Sequence, residues 1–376
     1  MNSSDIISRY YKQTILKEFG KEAQEKLLNA KVLVAGTGGL GCPALLYLAA
    51  AGAGNIGIVD FDVADISNLQ RQTLYGVDDI GKSKAETAAK KLKSFNPEIE
   101  FRIYDLKLEN QNALKIISDY DLVIDCTDNY QTRYLINDAC VLLDKPLVYG
   151  AVMRFEGQAG VFNYRDDETG IKTNYRDLFP DPPDAGSAVS CNEDGVLGVV
   201  PGIIGTMQAA EAIKIITGIG DVLCNSILSY NILTNTFYKF TISKSEKNES
   251  LSPKSESEFL NYNYDRFCGV SKTEYEISVE EFYDLKLKEN VRIIDVREKD
   301  ELPKINDFKS EKIPMSLFKK NTSLLKGSEI IVLICQTGNR SLKAVEILRK
   351  KDSLCRAYSL SGGIEKLLKH QKDIKT

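Results

Sequence analysis

Residues 31–60, KVLVAGTGGLGCPALLYLAAAGAGNIGIVD, carry the reading that decides the fold. Lys31 to Ala35 reads as a short buried strand. Gly36, Gly38, Gly39 and Gly41 then form a G-x-G-G-x-G turn that opens a helix through Leu45, Leu46 and Leu48. Glycine admits positive φ and lets backbone approach a phosphate, while a helix start offers free N–H groups and the positive end of a dipole. The next strand, Asn55 to Val59, ends at Asp60, nineteen positions beyond Gly41, about where an acid meets a ribose hydroxyl in dinucleotide-binding folds. The glycines and the acid alone fit NAD or FAD and other nucleotides equally well. Glycines at this spacing also permit close helix–strand packing with no ligand at all.

Composition narrows the classes. A chain of 376 residues, 43% of them hydrophobic, is long enough for two or three domains with their own cores. A net charge of −4 and a pI near 5.5 give no basic field for nucleic acid, so small molecules and proteins are the expected partners. The start, MNSSDIISRYYKQ, has no apolar signal core, and no run approaches the ~18 apolar residues of a membrane span. A cytoplasmic protein is expected. Eight cysteines are widely spread with no C-x-x-C pair, which argues against a zinc ribbon and a disulfide scaffold. The single histidine, His370, lies in a lysine-rich tail, which excludes a buried Ser-His-Asp triad and a multi-histidine metal site.

Further along, DFDVADISNLQRQTLYG crowds Asp60, Asp62, Asn68, Arg71 and Gln72 just past a strand's carboxyl end, where ligands bind in doubly wound sheets. Lys84 opens an alanine- and lysine-rich helix, either as one member of a solvated face or as a ligand. A strand from Leu122 to Cys126 ends in Thr127, Asp128 and Asn129, any of which can cap the following helix, so capping and ligand binding compete at Asp128. From Gln158 the strands read as antiparallel. Residues 165–190 form a long polar loop closed by Cys191, a thiol that is either presented to a partner or simply a small buried residue. The charged, serine-rich KSEKNESLSPKSESE places a linker at residues 246–274 between a domain at 1–245 and a small α/β domain at 275–376. There CQTGNRS, residues 335–341, sets Cys335 at a strand end before a helix, with Arg340 close by. Both a helix N-terminus and a cation favour a thiolate or persulfide, although a strand-end cysteine can also be inert.

Together, GTGGLGCPALLYLAAAGAGNIGIVDFDVADISNLQRQTLYG, Lys84, CTDN at 126–129 and SCNEDGVLGVVPGIIG resemble the ThiF/MoeB/HesA adenylyltransferases, which activate ubiquitin-like sulfur-carrier proteins in molybdopterin and thiamine biosynthesis. IIDVRE, CQTGNRS and LSGGIEKL resemble a rhodanese, a sulfurtransferase module. The resemblance implies an α/β, Rossmann-like domain with a mixed sheet, followed by a small rhodanese-like domain. It implies ATP and Mg²⁺ as cofactors, a sulfur-carrier protein and a sulfur donor (a cysteine desulfurase or thiosulfate) as partners, and a homodimer. Gly36, Gly38, Gly39 and Gly41 would hold phosphates. Asp60 would take the ribose, with Asp62 beside it, and Ser67, Asn68, Leu69, Gln70 and Arg71 would line the nucleotide site. Asp128 would hold Mg²⁺, next to Asn129. Arg71 and Lys84 would neutralise phosphate charge. A Cys335 persulfide would attack the acyl-adenylate, with Cys191 resolving the product or forming a thioester. A binding scaffold without turnover is the alternative from another class.

Two departures from the family pattern stand out. Relatives bind a structural zinc through two C-x-x-C pairs, but the matching positions here are Asn174 to Asp177 and Asp265 to Cys268, leaving Cys268 as the one thiol. No structural zinc is expected, and Asp177 with Arg266, or Phe179 with Phe267, would tie the two segments instead. Lys12 stands where relatives often carry an arginine reaching into the neighbouring subunit's ATP site; it keeps the charge without the planar fork.

Overall fold

The computed structural model describes residues 8–166, 169–182, 195–245, 251–268, 275–288, 290–298, 301, 304, 308–321, 330–336, 338–352 and 354–373. Cys191 lies outside them. The chain divides into two compact units, the first ending at Tyr264 and the second continuing from Asp265.

The first unit is built on strands β1 (Lys31–Ala35), β2 (Asn55–Val59), β3 (Glu100–Tyr104), β4 (Leu122–Asp125), β5 (Leu147–Met153), β6 (Glu156–Phe162), β7 (Ser226–Asn231) and β8 (Thr236–Thr241). They form one sheet in the order β3-β2-β1-β4-β5-β6-β7-β8, parallel from β3 to β5 and antiparallel from there to β8. The mixed sheet is as expected. β4 is buried along its whole length and β1 at all but its first residue, as continuous apolar strands are when helices cover both faces. Winding reverses between β1 and β4, so the loops after these two strands flank the crevice where ligands bind in such sheets.

The helix Val199–Thr217 corrects one expectation, since its 19 residues, with a mean hydropathy of 1.3, are long and apolar enough to cross a membrane. It is a core helix here. It packs on the helix Gly41–Ala51 and on β5 and β6. Its buried Gln208 donates from Nε2 to the carbonyl of Asp125 at 2.7 Å, and its buried Glu211 accepts from the Leu223 N–H at 2.9 Å.

The expected linker also begins differently. Residues Glu256–Asn261 and Tyr264–Phe267 are helical, Phe259 is fully buried, and Asn110 Nδ2 donates to the carbonyl of Tyr262 at 2.9 Å. Serine, lysine and glutamate dominate the composition of this stretch, but Phe259, Tyr262 and Tyr264 decide its fate because aromatics gain most from burial. Tyr264 donates to Asp138 Oδ2 at 3.0 Å, and the buried Arg176 grips the same carboxylate with Nε at 2.9 Å and Nη2 at 2.7 Å. Arg176 Nη2 also donates to the Tyr262 hydroxyl at 3.3 Å, and its guanidinium lies 4.9 Å from the Tyr134 ring centre.

This network stands where the family's zinc pairs would be, and the residues do not fit a zinc ion. Asn174 and Asp177 are spent on each other as a capping box, and Asp177 Oδ1 accepts the Ser245 N–H at 2.9 Å. Among the described residues no group of three or more His, Cys, Asp or Glu side chains could hold a metal. Arg176 and Asp138 form a buried ion pair here; the Arg266 side chain, expected to pair with Asp177, lies outside what is described.

The second unit has five parallel strands, β9 (Glu276–Ile277), β10 (Val291–Asp295), β11 (Glu311–Lys312), β12 (Ile330–Ile334) and β13 (Ala357–Leu360), in the order β11-β10-β12-β13-β9. Apolar clusters around Phe318 on one side and Phe282 on the other cover the sheet.

Removing one member of a buried ion pair strands the other charge, at a cost of about 3–5 kcal/mol. Arg176→Ala is therefore expected to lower unfolding stability by that amount in a denaturant titration, and Tyr264→Phe by about 1.5–3 kcal/mol for one hydrogen bond to a charged group. A loss under about 1 kcal/mol for Arg176→Ala would mean the network contributes no more than a surface pair.

Candidate functional site

β1 and β4 run side by side, with Ala35 opposite Asp125, and each hands over to a turn at the same sheet edge. Gly36 takes φ +91°, and a Cβ there would stand 2.8 Å from the Cys126 carbonyl oxygen; one at Gly41 would stand 2.0 Å from the Gly36 carbonyl oxygen. Only glycine lets the two turns come this close. Asp60 holds the glycine loop from the other side: its Oδ2 accepts the Thr37 N–H at 2.7 Å and the Thr37 hydroxyl at 2.6 Å, and its Oδ1 accepts the Asp62 N–H at 2.9 Å.

A cavity of about 400 Å³ opens over these turns, within the range of small-molecule sites. Gly36, Gly38, Gly39, Asp60, Asp62, Arg71, Lys84, Asp128 and Asn129 line it, as the sequence suggests. Lys84 is not part of a solvated face, for its side chain is only 6% exposed and its Nζ sits 3.0 Å from Asp62 Oδ2, whose own side chain is 54% exposed. Asn129 caps the helix Tyr130–Leu142 by accepting the Thr132 N–H at 2.9 Å, so Asp128 is not needed as the cap.

Other expected residues do not line the cavity. Gly41 is buried beneath the loop. Asp65 and Asn68 form a capping box around the short helix Ile66–Asn68, and the Ser67 N–H and hydroxyl both donate to Asp65 Oδ1. Leu69 packs against the core, and an added Cβ at Gly198 would meet the Gln70 carbonyl oxygen at 2.2 Å. This segment shapes the wall from behind, and Arg71, whose Nη1 donates to the Ser67 carbonyl at 3.1 Å, is its member that reaches the cavity. Lys12 is exposed on the helix Tyr11–Thr14, away from this chain's own cavity lining.

Sequence reasoning missed Arg133. This buried residue lines the cavity, donates from Nη2 to the carbonyls of Thr127 at 2.7 Å and Gly150 at 3.1 Å, and stacks 5.0 Å from the Tyr149 ring centre. A signal exists in its position four residues after Asn129, which returns it to the sheet edge one helical turn on. Gln72 also lines the cavity with a buried Oε1 that has no hydrogen-bond partner among the described residues.

Cysteines at the nucleotide end are inert by burial. Desolvation pushes the Cys42 thiol up to about 12 and raises Cys126 well above the usual range. In the second unit Cys335 is also buried, yet its sulfur accepts from the Gly338 N–H at 3.2 Å and from the Ser341 N–H and hydroxyl at 3.4 Å each. Gly338 takes φ +95°, which folds the loop back over the sulfur. The sequence places Arg340 as a cation beside this thiol. In the structure Arg340 lies close enough to Cys335 to interact with it by charge, while both oxygens of Glu301 hold its guanidinium, and backbone and hydroxyl donors hydrogen-bond to the sulfur.

Comparison with known proteins agrees with both units. The ThiF family matches residues 10–252, and the rhodanese-like domain matches residues 278–370. The probable adenylyltransferase/sulfurtransferase MoeZ of Mycobacterium tuberculosis is 42% identical, covering 96% of this chain and 93% of that protein. The adenylyltransferase and sulfurtransferase MOCS3 of Drosophila sechellia is 39% identical over 96% of this chain and 83% of its own length. A Thermus thermophilus sulfur carrier protein adenylyltransferase is 44% identical over 71% of this chain and 98% of its own length. Escherichia coli MccB, solved with ATP, shares the fold with a TM-score of 0.54 at 22% identity, over 63% of this chain and 72% of that one. The chain belongs to the ThiF family and carries a rhodanese-like domain after it.

Proposed function

We propose that the first unit adenylylates the C-terminal glycine carboxylate of a ubiquitin-like sulfur-carrier protein with ATP, and that the rhodanese-like domain supplies the sulfur that turns it into a thiocarboxylate, in molybdopterin, thiamine or related thio-metabolite synthesis. One observation carries the reading: a glycine loop, two cations and a carboxylate outside the helix cap converge on one cavity at the sheet's point of reversal. The carboxylate oxygen attacks the α-phosphorus while the bond to the β-phosphate breaks, giving acyl-adenylate and pyrophosphate. Lys84 and Arg71 offset the charge gathered on the phosphates, an effect that grows as water is excluded. The acceptor-only carboxylate of Asp128 suits Mg²⁺, which when bound would neutralise phosphate charge. The outer sulfur of a Cys335 persulfide then attacks the acyl carbon and AMP leaves; Cys191 either attacks the Cys335 sulfur of the acyl disulfide, forming a Cys191–Cys335 disulfide as the thiocarboxylate leaves, or carries a thioester.

The chain works as a homodimer in this reading, with Lys12 completing the partner's site; exposed Tyr11, Ile15 and Leu16 around it support a covered face. A cytoplasmic setting suits its seven described cysteines, all of them free.

Asp128→Ala is expected to cut carrier-dependent ATP–pyrophosphate exchange by on the order of 10²- to 10³-fold without lowering the melting temperature. Full exchange in that variant would remove Asp128 from the site. Reassembling it with Lys12→Ala should recover about a quarter of wild-type exchange, since half the dimers then hold one intact site of two; no recovery would place Lys12 outside the partner's site.

Cys335→Ala is expected to abolish thiosulfate:cyanide sulfurtransferase activity while exchange persists. Equal sulfur transfer in wild type and variant would overturn the assignment.

The protein folds without zinc in this proposal, a reading supported by Asp138, which holds both Arg176 and Tyr264 within the first unit. Elemental analysis should find well under one zinc per chain, and a chelator should leave the melting temperature unchanged. Stoichiometric zinc lost together with stability would refute it, since such a site supplies on the order of 10 kcal/mol.

A further inference from the structure

Asp60 lines the cavity beside the glycine loop, and most of its capacity to accept hydrogen bonds is used within the chain itself. A carboxylate offers about four lone-pair sites, two on each oxygen. Oδ2 accepts two donors, the Thr37 N–H at 2.7 Å and the Thr37 hydroxyl at 2.6 Å, while Oδ1 accepts one, the Asp62 N–H at 2.9 Å. Oδ2 is therefore full, and Oδ1 has room for one more donor. Thr37 is fully buried, and its carbonyl accepts from the Tyr75 hydroxyl at 3.1 Å and from the Cys42 thiol at 3.3 Å, which fixes the backbone from which the hydroxyl reaches Asp60. Any residue other than proline would bring the N–H to this position. The hydroxyl is what threonine adds.

We infer that Thr37 is a positioning residue that makes the site read one hydroxyl of the nucleotide's ribose and ignore the other, so that one of the two monodeoxy forms of ATP also serves as adenylyl donor. This inference rests on the reading of the cavity as an ATP site with Asp60 at the ribose. Neighbouring 2′- and 3′-hydroxyls can both donate to a carboxylate that has a site open on each oxygen. With Oδ2 closed by Thr37, one of them is left to Asp62 or to water. Asp62 lines the same cavity, but its side chain is 54% exposed and Lys84 Nζ lies 3.0 Å from its Oδ2, so a bond there replaces one to water and gains little. The unread hydroxyl takes no part in the bonds made and broken at the α-phosphorus, and a nucleotide lacking it still reacts.

Calorimetric titration of the full-length protein with ATP, 2′-deoxy-ATP and 3′-deoxy-ATP, each with Mg²⁺, tests this without any variant. One deoxy form should bind about ten- to a hundredfold more weakly than ATP, as expected for a lost hydrogen bond to a charged group, and the other within about threefold of ATP. The second form should also support carrier-dependent pyrophosphate exchange. Thr37→Val removes the hydroxyl and opens Oδ2, so both deoxy forms should then bind about tenfold or more weakly than ATP. Thr37→Ser, which keeps the hydroxyl, should restore the wild-type ratios. A purely structural role for Thr37 would shift all three affinities together. Wild-type protein that loses affinity for both deoxy forms, or Thr37→Val with wild-type ratios, would overturn the inference. Wild-type protein that binds all three nucleotides equally would instead overturn the placement of Asp60 at the ribose.

Discussion

The nucleotide end depends on how the chain is held where it leaves β4. Asp125, the last residue of that strand, is fully buried, and its Oδ1 accepts both the N–H and the hydroxyl of Thr127, at 2.9 and 2.6 Å. Arg133 closes the turn from the far side through the Thr127 carbonyl, with its Nε 3.3 Å from Asp125 Oδ2. Gln208 from the long apolar helix takes the Asp125 carbonyl. Bringing two opposite charges out of water gains little net stability over an apolar pair of the same volume. What the pair does confer is direction: the turn can neither collapse onto the glycine loop nor wind into the helix early, and Asp128 is left on the cavity wall.

That constraint separates what could be read in the sequence from what could not. The glycine loop was legible because its residue type is itself the steric requirement, and the Gly36 approach to Cys126 shows the requirement met. Lys84 and Asp128 were legible as positions but not as roles. Lys84 needed the burial that a helix packed on a sheet provides, and Asp128 needed Asn129 to win the competition for the cap. Ser67 and Asn68 misled for the opposite reason. A polar side chain near a ligand-binding edge can close its own turn, and the capping box at Asp65 does so with hydrogen bonds inside a few residues. Arg133 and Gln208 escaped notice because each donates to backbone carbonyls, Thr127 and Gly150 for one and Asp125 for the other, and no side-chain pattern marks a carbonyl. The stretch after residue 250 was misread by averaging. Its serines and lysines set the composition, while three aromatics set the structure.

Thiol chemistry is partitioned between the units by the same rule, the balance between burial and hydrogen bonding. Cys42 and Cys126 are buried among apolar neighbours, and desolvation holds both as neutral thiols. Cys335 is buried to the same degree, but three donors converge on its sulfur, so the loop supplies what water would otherwise give an anionic sulfur. Burial alone therefore does not separate Cys335 from Cys42 and Cys126. The N–H and O–H groups aimed at its sulfur do.

Cation pairing differs between the two sites in its geometry. Lys84 meets Asp62 through a single contact of 3.0 Å, and Asp62 lies more than half exposed. An exposed partner is stabilised by water when it is displaced, so a polyphosphate with several oxygens can take the ammonium from it at small cost. Arg340 is matched at two points by a carboxylate whose side chain is 30% exposed, with Cys335 and Glu298 close enough to act on its charge. The first arrangement keeps a cation in place until an anion arrives. The second fixes its cation at two points. The difference between the two sites lies in the geometry of the pairs, one contact to an exposed carboxylate against a two-point match.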